Sequence, residues 1–255
     1  KIIFEEINLD LEIAFQYGWY NSEKFGWIKK SVVSNLSKEK LSVELLDGIQ
    51  NILPSGVDYA FQSEYSNLLD AYKKNELLPE SKLGLFMLSS IPVDKAEPSE
   101  ALKANTVWSY GLDNKTKVLI SNNQIENFKK GLSLETEVDV RAARGSYYVH
   151  ADLVLAKDEK KEWYLMAEIN QDSRAVANLN SFIKTASKIE KQLIEDISKG
   201  TTNLVKKVAN ADGLQVGNEE LGYARHFSNT LFNIMRGGIY TNNYTVDLSD
   251  FKLFV

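Results

Sequence analysis

The sequence predicts a mainly β fold with helices (α+β), in which stacked antiparallel sheets come first and helices follow. Residues 25–54 read as a strand, a polar turn at 35–40 and a second strand, because β-branched and aromatic residues flank the turn. Residues 147–169 repeat this pattern around a charged turn. We interpret both stretches as hairpins. A hairpin of this length cannot bury its apolar face alone, so we expect two sheets packed face to face.

After Asn170 the periodicity changes, and apolar residues recur every three or four positions as in amphipathic helices. Asp172 or Ser173 is the expected N-cap of a long helix that ends at 199–200. A second helix is expected from Thr201 or Thr202 to about 210. Asn218 is the expected cap of a third helix, which two glycines, Gly237 and Gly238, would end.

The first half of the chain reads as strands interrupted by one helix. Ser55 is a candidate N-cap, and apolar spacing predicts a helical insertion near 56–75 that ends at 73–75. Pro92 and Pro98 predict a loop. The remaining expected elements are two strands within 2–20, strands over 83–90, 101–111 and 117–121, and a short helix over 122–130. The expected domains are therefore a β region, 1–170, and a helical region, 171–255.

Composition excludes several classes of function. The chain has 255 residues with 44% hydrophobic and 25% charged residues, which is ordinary for a soluble globular protein. Its formal net charge of -5 and the lack of a basic run argue against nucleic-acid binding. The absence of cysteine excludes disulfides, thiol catalysis and cysteine-ligated metals. No apolar run approaches the roughly 20 residues of a membrane helix.

The two ends of the sequence predict a fragment of a longer protein. The chain starts at Lys1 without a methionine and ends on the apolar stretch FKLFV. Targeting signals are therefore expected outside it, and the compartment stays unassigned, with the cytoplasm favoured.

Histidine chemistry is limited, because the chain has only His150 and His226. A three-histidine zinc site is excluded, and the sequence does not indicate which carboxylates would complete a mixed site. His150 shares a strand face with Asp152, an arrangement that can orient a general base. The preferred interpretation is an ordinary half-exposed strand pair, so we expect no catalytic residue, no metal site and no cofactor.

Two groups of residues are candidates for ligand binding. Aromatic rings can stack on sugars, and Trp19 with Tyr20 at a strand end is the first choice; Trp27, Trp108, Trp163 and Tyr164 are further candidates, most of them expected in the core. A polar stripe at helical spacing is the second group, formed by Arg225, His226, Asn229, Asn233 and Arg236. Together with Asn242–Asn243–Tyr244 it is either solvated or faces a neighbouring domain or a sugar-rich cleft.

Three segments also resemble a known family: FGWIKKSVVSNLSKEKLSVELLDGIQNILP, LVLAKDEKKEWYLMAEINQDSRAVANLNSFIK and RHFSNTLFNIMRGGIYTNNY. They are similar to the N-terminal β-supersandwich domain and helical linker of large bacterial carbohydrate-active enzymes, of the cellobiose phosphorylase and cyclic β-glucan synthase type. The resemblance implies a galactose mutarotase-like antiparallel supersandwich. It also implies that the catalytic acid lies in a following (α/α)6 barrel. The helix near 56–75 is an insertion relative to that family.

The resemblance implies a non-catalytic module of a glycoside phosphorylase, glucan synthase or glycoside hydrolase. Its partners would be the adjoining catalytic domain, an oligosaccharide or polysaccharide, and a second copy in a homodimer. Two alternatives remain. One is a self-contained mutarotase- or epimerase-like enzyme, for which His150 with Glu168 is the available acid–base pair. The other is a purely structural dimerisation module.

Overall fold

The computed structural model describes residues 3–64, 66–90, 103–113, 115–238 and 248–255. In these residues the fold is mixed α/β, with an antiparallel sheet of eight strands and another of three. The strands are β1 (Ile3–Asn8), β2 (Ile13–Ser22), β3 (Gly26–Asn35), β4 (Leu41–Ile52), β5 (Lys73–Leu78), β6 (Leu83–Leu88), β7 (Ala104–Tyr110), β8 (Lys117–Ser121), β9 (Asp139–Arg141), β10 (Gly145–Leu155) and β11 (Lys160–Gln171). The helices are α1 (Tyr59–Glu64), α2 (Ser66–Tyr72), α3 (Ile125–Lys129), α4 (Ser173–Thr185), α5 (Ile189–Asn210), α6 (Glu220–Met235) and α7 (Leu248–Phe254).

The chain divides into two compact units, Lys1–Leu193 and Ile194–Val255. The division expected at residue 170 from the sequence remains a prediction of domain organisation. The expected loop at Pro92 and Pro98 and the segment Asn242–Asn243–Tyr244 lie outside the described residues. Among the helices in the described part of the chain, none is long and apolar enough to cross a membrane.

The two expected hairpins are wrong, although their strands lie where the sequence predicts them. In the eight-stranded sheet the order is β1-β2-β3-β11-β7-β6-β5-β9, and in the three-stranded sheet it is β4-β10-β8. β3 and β4 therefore belong to different sheets, as do β10 and β11. Each polar turn carries the chain from one sheet to the other, and we call these connections the first arch (36–40) and the second arch (156–159). Alternating burial shows which residues face the core, but it does not identify the neighbouring strand.

Asn35 holds the two arches together. Its side chain is buried, at 1% exposure. The side-chain nitrogen donates to the carbonyl oxygens of Leu155 at 3.2 Å, Ala156 at 3.0 Å and Glu39 at 2.8 Å. The side-chain oxygen accepts from the Ser37 amide at 2.9 Å. One buried amide thus bonds to backbone groups of both arches, next to the bonds that the Ala156 carbonyl oxygen accepts from the Glu159 amide at 3.1 Å and the Glu39 carbonyl oxygen from the Ser37 hydroxyl at 2.9 Å.

The main core lies between the two sheets. Its buried residues come from both facing surfaces: Val33, Leu77, Phe86, Val107, Val118, Ile120, Tyr147, Val149, Ala151, Leu153, Leu155, Trp163 and Leu165. As the alternation within 147–155 predicts, the odd-numbered residues of β10 face this core. We call the surface of the eight-stranded sheet that faces the main core its inner face.

A charged group lies inside the sandwich. Lys29 on β3 and Asp47 on β4 form an ion pair, and both side chains are 8% exposed. Asp47 also accepts hydrogen bonds from the Ser31 hydroxyl at 2.9 Å and the Trp163 indole nitrogen at 2.8 Å. Lys29 donates to the Gly48 carbonyl oxygen at 3.1 Å. This network links the sheets with directed bonds where the apolar core ends.

Helix α4 begins as the sequence predicts. Asp172 is the N-cap, and its carboxylate accepts from the Ala175 amide at 2.8 Å. Further along, Phe182 packs against the rings of Phe25 and Trp108, with centroids 5.8 and 6.3 Å apart. Through Phe182, α4 therefore packs on the face of the eight-stranded sheet that is opposite to the main core.

α5 ends at Asn210 and α6 ends at Met235, just before Gly237, as predicted, but other helix boundaries differ from the predictions. The predicted long helix is interrupted at 186–188, between α4 and α5, where Lys188 has φ 59. Gly200, at the predicted end of that helix, lies inside α5. Glu219, not Asn218, is the N-cap residue of α6. Residues 73–75 begin strand β5 and do not end the helical insertion, which consists of α1 and α2. Periodicity located the apolar faces, whereas breaks depend on tertiary contacts that it does not report.

Candidate functional site

Aromatic side chains are exposed at one end of the inner face, on strands β1 to β3. Phe4 lies directly across from Tyr17, and Trp19 lies directly across from Lys29. Trp27 is two residues before Lys29 on β3, so it shares the face and is the diagonal neighbour of Trp19. Phe4, Trp19 and Trp27 are 48%, 37% and 55% exposed. We call Phe4, Tyr17, Trp19 and Trp27 the aromatic ledge.

The connection between β2 and β3 brings the two tryptophans together. These strands form a true hairpin with a short turn at 23–25. Gly26 follows the turn with φ +70, and a Cβ atom there would overlap the Ala167 carbonyl oxygen. Glycine therefore permits both the left-handed backbone and the close approach of β11. The hairpin register then places Asn21 directly across from Trp27.

The ledge is continuous with the main core. The rings of Phe4 and Tyr17 are stacked, with centroids 4.9 Å apart and planes 15° from parallel. Phe15 lies 6.1 Å from Tyr17 on one side and 6.1 Å from the buried Trp163 on the other. Rings packed in this way lose little further conformational freedom when a ligand stacks on them.

Charge and hydrogen-bonding groups border the ledge. The ammonium group of Lys29 lies 5.0 Å from the centroid of the Tyr17 ring, while the same lysine pairs with Asp47. The exposed residue Asn21 lies across from Trp27, and the exposed residue Glu6 lies beside Phe4 on the same face of the sheet. The arrangement offers flat apolar surfaces with polar groups at their margin.

The structure separates the pair chosen from the sequence. Trp19 and Tyr20 are neighbours in a regular strand, so they point to opposite faces of the sheet. Tyr20 lies across from Ile28, which is fully buried on the face opposite to the ledge. Trp19 instead shares its face with Trp27 and Phe4. The sequence did not indicate this relation, because it depends on the register between β2 and β3.

The polar stripe on α6 lies in the second unit. Arg225, Asn229 and Asn233 are exposed, and Asn233 donates to the Asn229 carbonyl oxygen of its own helix at 2.9 Å. His226 is half-buried, with Nε2 2.7 Å from the carbonyl oxygen of Asp212. The Arg236 guanidinium lies 5.3 Å from the Phe232 ring centroid. The residues of the predicted stripe thus lie on α6 and at its C-terminal end. Ligand binding by these residues remains a prediction.

A second cluster of polar side chains lies on the three-stranded sheet, on the face away from the main core. His150 Nε2 lies 2.8 Å from Glu44 Oε1, and Asp152 completes the group, with the potential ligand atoms all within 4.8 Å of one another. The rings of His150 and Phe128 of α3 form a T-shaped contact, with centroids 6.0 Å apart. We call Glu44, His150 and Asp152 the histidine–carboxylate cluster.

The structure does not form the His150–Glu168 pair that a mutarotase-like enzyme would use. Glu168 lies in the other sheet, where its carboxylate accepts from the Ile169 amide at 3.0 Å. The sequence did not indicate Glu44 as the partner, because the two residues are far apart in the chain. Near the cluster, burial raises the pKa of Tyr148, whose hydroxyl donates to Asn122 Oδ1 at 2.9 Å.

No known family matches the chain, and no curated protein matches it either. Among solved structures, the chain is similar to a bacterial glucoamylase determined in complex with acarbose, with a TM-score of 0.40 and 11% sequence identity. The similarity covers 79% of this chain and 26% of the glucoamylase chain. The matched region thus spans about a quarter of that protein.

Proposed function

We propose that this chain is a non-catalytic, carbohydrate-associated module that contacts an oligosaccharide or polysaccharide through the aromatic ledge. The observation that carries the proposal is the exposure of two indole rings, Trp19 and Trp27, on adjacent strands of one face. The other two tryptophans, Trp108 and Trp163, are 2% and 0% exposed. Leaving large aromatic rings in water has a free-energy cost that a ligand stacked on them would remove.

The chemistry of the ledge suits a sugar ring. A pyranose has an apolar face that can stack on an aromatic ring and a rim of hydroxyl groups that need hydrogen-bond partners. Trp19 and Trp27 supply the first, while Asn21 and Glu6 lie where they can supply the second. Diagonal neighbours across two strands lie roughly 7–8 Å apart, so both rings can contact one ligand.

The finer part of the proposal concerns the whole protein. We propose a galactose mutarotase-like supersandwich that supports the catalytic barrel of a glycoside phosphorylase, glucan synthase or glycoside hydrolase. Two stacked antiparallel sheets followed by helices are compatible with this proposal, and the resemblance of three sequence segments supports it. A homodimer stays a prediction of that resemblance.

Ligand titration with intrinsic tryptophan fluorescence tests the role of the ledge. The full chain would be titrated with soluble α- and β-glucan oligosaccharides, in parallel with affinity electrophoresis through the matching polysaccharides. We expect saturable binding, weakened about twofold to tenfold by Trp19→Ala or Trp27→Ala, since stacking contributes roughly 0.5–1.5 kcal/mol. Trp19→Phe and Trp27→Phe should retain part of the affinity.

Tyr59→Ala is the matched control, because Tyr59 is an 82% exposed aromatic residue on α1, outside the ledge. Its affinity should equal that of the wild type. Equal binding by Trp19→Ala, Trp27→Ala and the wild type would remove the ledge from the proposal. An absence of binding to every glucan in the series would reject the carbohydrate role itself.

A further inference from the structure

We propose that the histidine–carboxylate cluster, Glu44, His150 and Asp152, binds a divalent transition-metal ion of the Zn²⁺ class. The site lies on the three-stranded sheet, whereas the aromatic ledge lies on the eight-stranded sheet. The inference therefore does not rest on the proposed carbohydrate function.

Strand geometry assembles the three side chains. His150 and Asp152 are two residues apart on β10 and so point to the same face. Glu44 on β4 lies directly across from Asp152 in the antiparallel register, while Leu46 lies across from His150. The three ligating groups thus come from positions in two paired strands, which fix their separation better than loops do.

The separations fit a small metal ion. His150 Nε2 and Glu44 Oε1 are 2.8 Å apart, and one atom from each of the three residues lies within 4.8 Å of the others. Zinc binds imidazole nitrogen and carboxylate oxygen at about 2.0–2.2 Å, so its tetrahedral ligands lie roughly 3.3–3.6 Å from each other. Side-chain rotations that move the ligand atoms by about 1 Å would bring the cluster to this geometry.

Charge gives a second, independent argument. Two carboxylates directly across from each other on neighbouring antiparallel strands repel, which destabilises the pair. The nearest lysine in the register is Lys117 on β8, across from His150, and its ammonium group donates to the Leu134 carbonyl oxygen at 2.6 Å. A bound cation would neutralise Glu44 and Asp152 together.

The donor set favours one chemical class of metal. One imidazole nitrogen with two carboxylates suits Zn²⁺ and related transition metals, whereas Ca²⁺ and Mg²⁺ prefer oxygen ligands alone. Three protein ligands leave a coordination position for water or another molecule. His150 is only 8% exposed and rests against Phe128, so its ring orientation is largely fixed before a metal binds.

Calorimetric titration of the full chain with Zn²⁺ alone, after treatment with a chelator, tests the site. We expect one equivalent to bind the wild type, and Glu44→Gln and Asp152→Asn each to bind about tenfold more weakly or worse. Mg²⁺ should give no comparable binding. Acidification should weaken Zn²⁺ binding, because protons compete with the metal for imidazole and carboxylates.

His226→Ala is the control for His150→Ala, since it removes the only other histidine of the chain. His226→Ala should retain the bound equivalent, and His150→Ala should lose it. Glu44 and Asp152 are exposed, so their conservative variants keep the test valid if His150→Ala fails to fold. The inference would be overturned if the wild type did not bind Zn²⁺. It would also be overturned if all three cluster variants bound Zn²⁺ as the wild type does, or if His226→Ala lost the bound equivalent.

Discussion

The side-chain nitrogen of Asn35 donates a hydrogen bond to the carbonyl oxygen of Ala156 at 3.0 Å, and this bond joins the first arch to the second. The backbone amide of Asn35 also donates to the Glu159 carbonyl oxygen at 3.0 Å. The first and second arches thus meet at one buried residue. The separation of the sheets at this end depends on a polar side chain within the packed interior.

Asn35→Ala should lower the free energy of unfolding by about 1–3 kcal/mol, because it removes the hydrogen bonds that the buried Asn35 side chain makes to both arches, including the bond accepted from the Ser37 amide. Urea unfolding followed by circular dichroism measures the change. Asn123→Ala, at an exposed position, is the control and should stay within about 0.5 kcal/mol of the wild type. An equally small effect at Asn35 would show that the arches do not depend on this amide.

Asp47→Ala should be more damaging, with a loss of roughly 3–5 kcal/mol, because it leaves the Lys29 ammonium group buried without its counter-charge. The double variant Lys29→Met with Asp47→Leu removes both charges and should lose less than Asp47→Ala alone. Denaturant unfolding of the single and double variants gives the comparison. If the double variant were the less stable of the two, the unpaired lysine would not be the source of the loss.

Gly48→Ala tests how closely β4 and β10 approach. A Cβ atom at Gly48 would overlap the Tyr147 carbonyl oxygen and lie 2.9 Å from Tyr148 Cα, both of them backbone atoms. We expect a loss of about 2 kcal/mol or more, since the strands must separate. Gly131→Ala is the control: its Cβ meets open space, so only the left-handed backbone at φ 65 has a cost, roughly 1 kcal/mol. Thermal unfolding of both variants ranks them.

The ion pair between Asp70 and Lys73, at 2.7 Å, predicts a dependence of stability on pH. Burial alone would raise the pKa of the Asp70 carboxyl, but the hydrogen bond and charge of Lys73 outweigh it and hold the pKa below its ordinary value of 3.8. The resulting stabilisation is present above that ordinary value and is lost as the pH falls through the lower pKa of the folded state.

Unfolding free energies between about pH 6 and pH 3 measure this effect. The advantage of the wild type over Asp70→Asn should shrink toward the acid end of the range. Asn123→Ala, which changes an exposed side chain without a titratable group, is the control, and its difference from the wild type should stay constant across the range. A constant difference between wild type and Asp70→Asn across the range would contradict the assignment.

The sequence predicted local features, such as strands and helix caps, better than contacts between residues that are distant in the chain. Strand formation around Val33 and capping by Asp172 follow from local chemistry, and both were predicted. Trp19 was the first candidate for ligand contact and is 37% exposed, but its proximity to Trp27 depends on the register of a hairpin. The pairing of His150 with Glu44 depends on two strands that meet only in the folded protein.

Strand order explains these errors. Periodicity measures burial, and a strand that crosses between sheets has the same alternation as one that turns back on itself. Residues 25–54 and 147–169 were therefore assigned to the correct secondary structure and the wrong partners. Sites that lie within one strand face can be derived from sequence, whereas sites between strands require the topology.

Strand β11 lies between β3 and β7 in the eight-stranded sheet, although it is the last strand of that sheet to be synthesised. Trp27 on β3 pairs with Ala167 on this strand. The outer edge of the β1–β2–β3 meander can therefore pair only after residues 160–171 have left the ribosome. Before these residues are synthesised, β3 and β7 lack the strand with which both of them pair. Contacts of such long sequence separation form slowly, and exposed edges promote association between nascent chains.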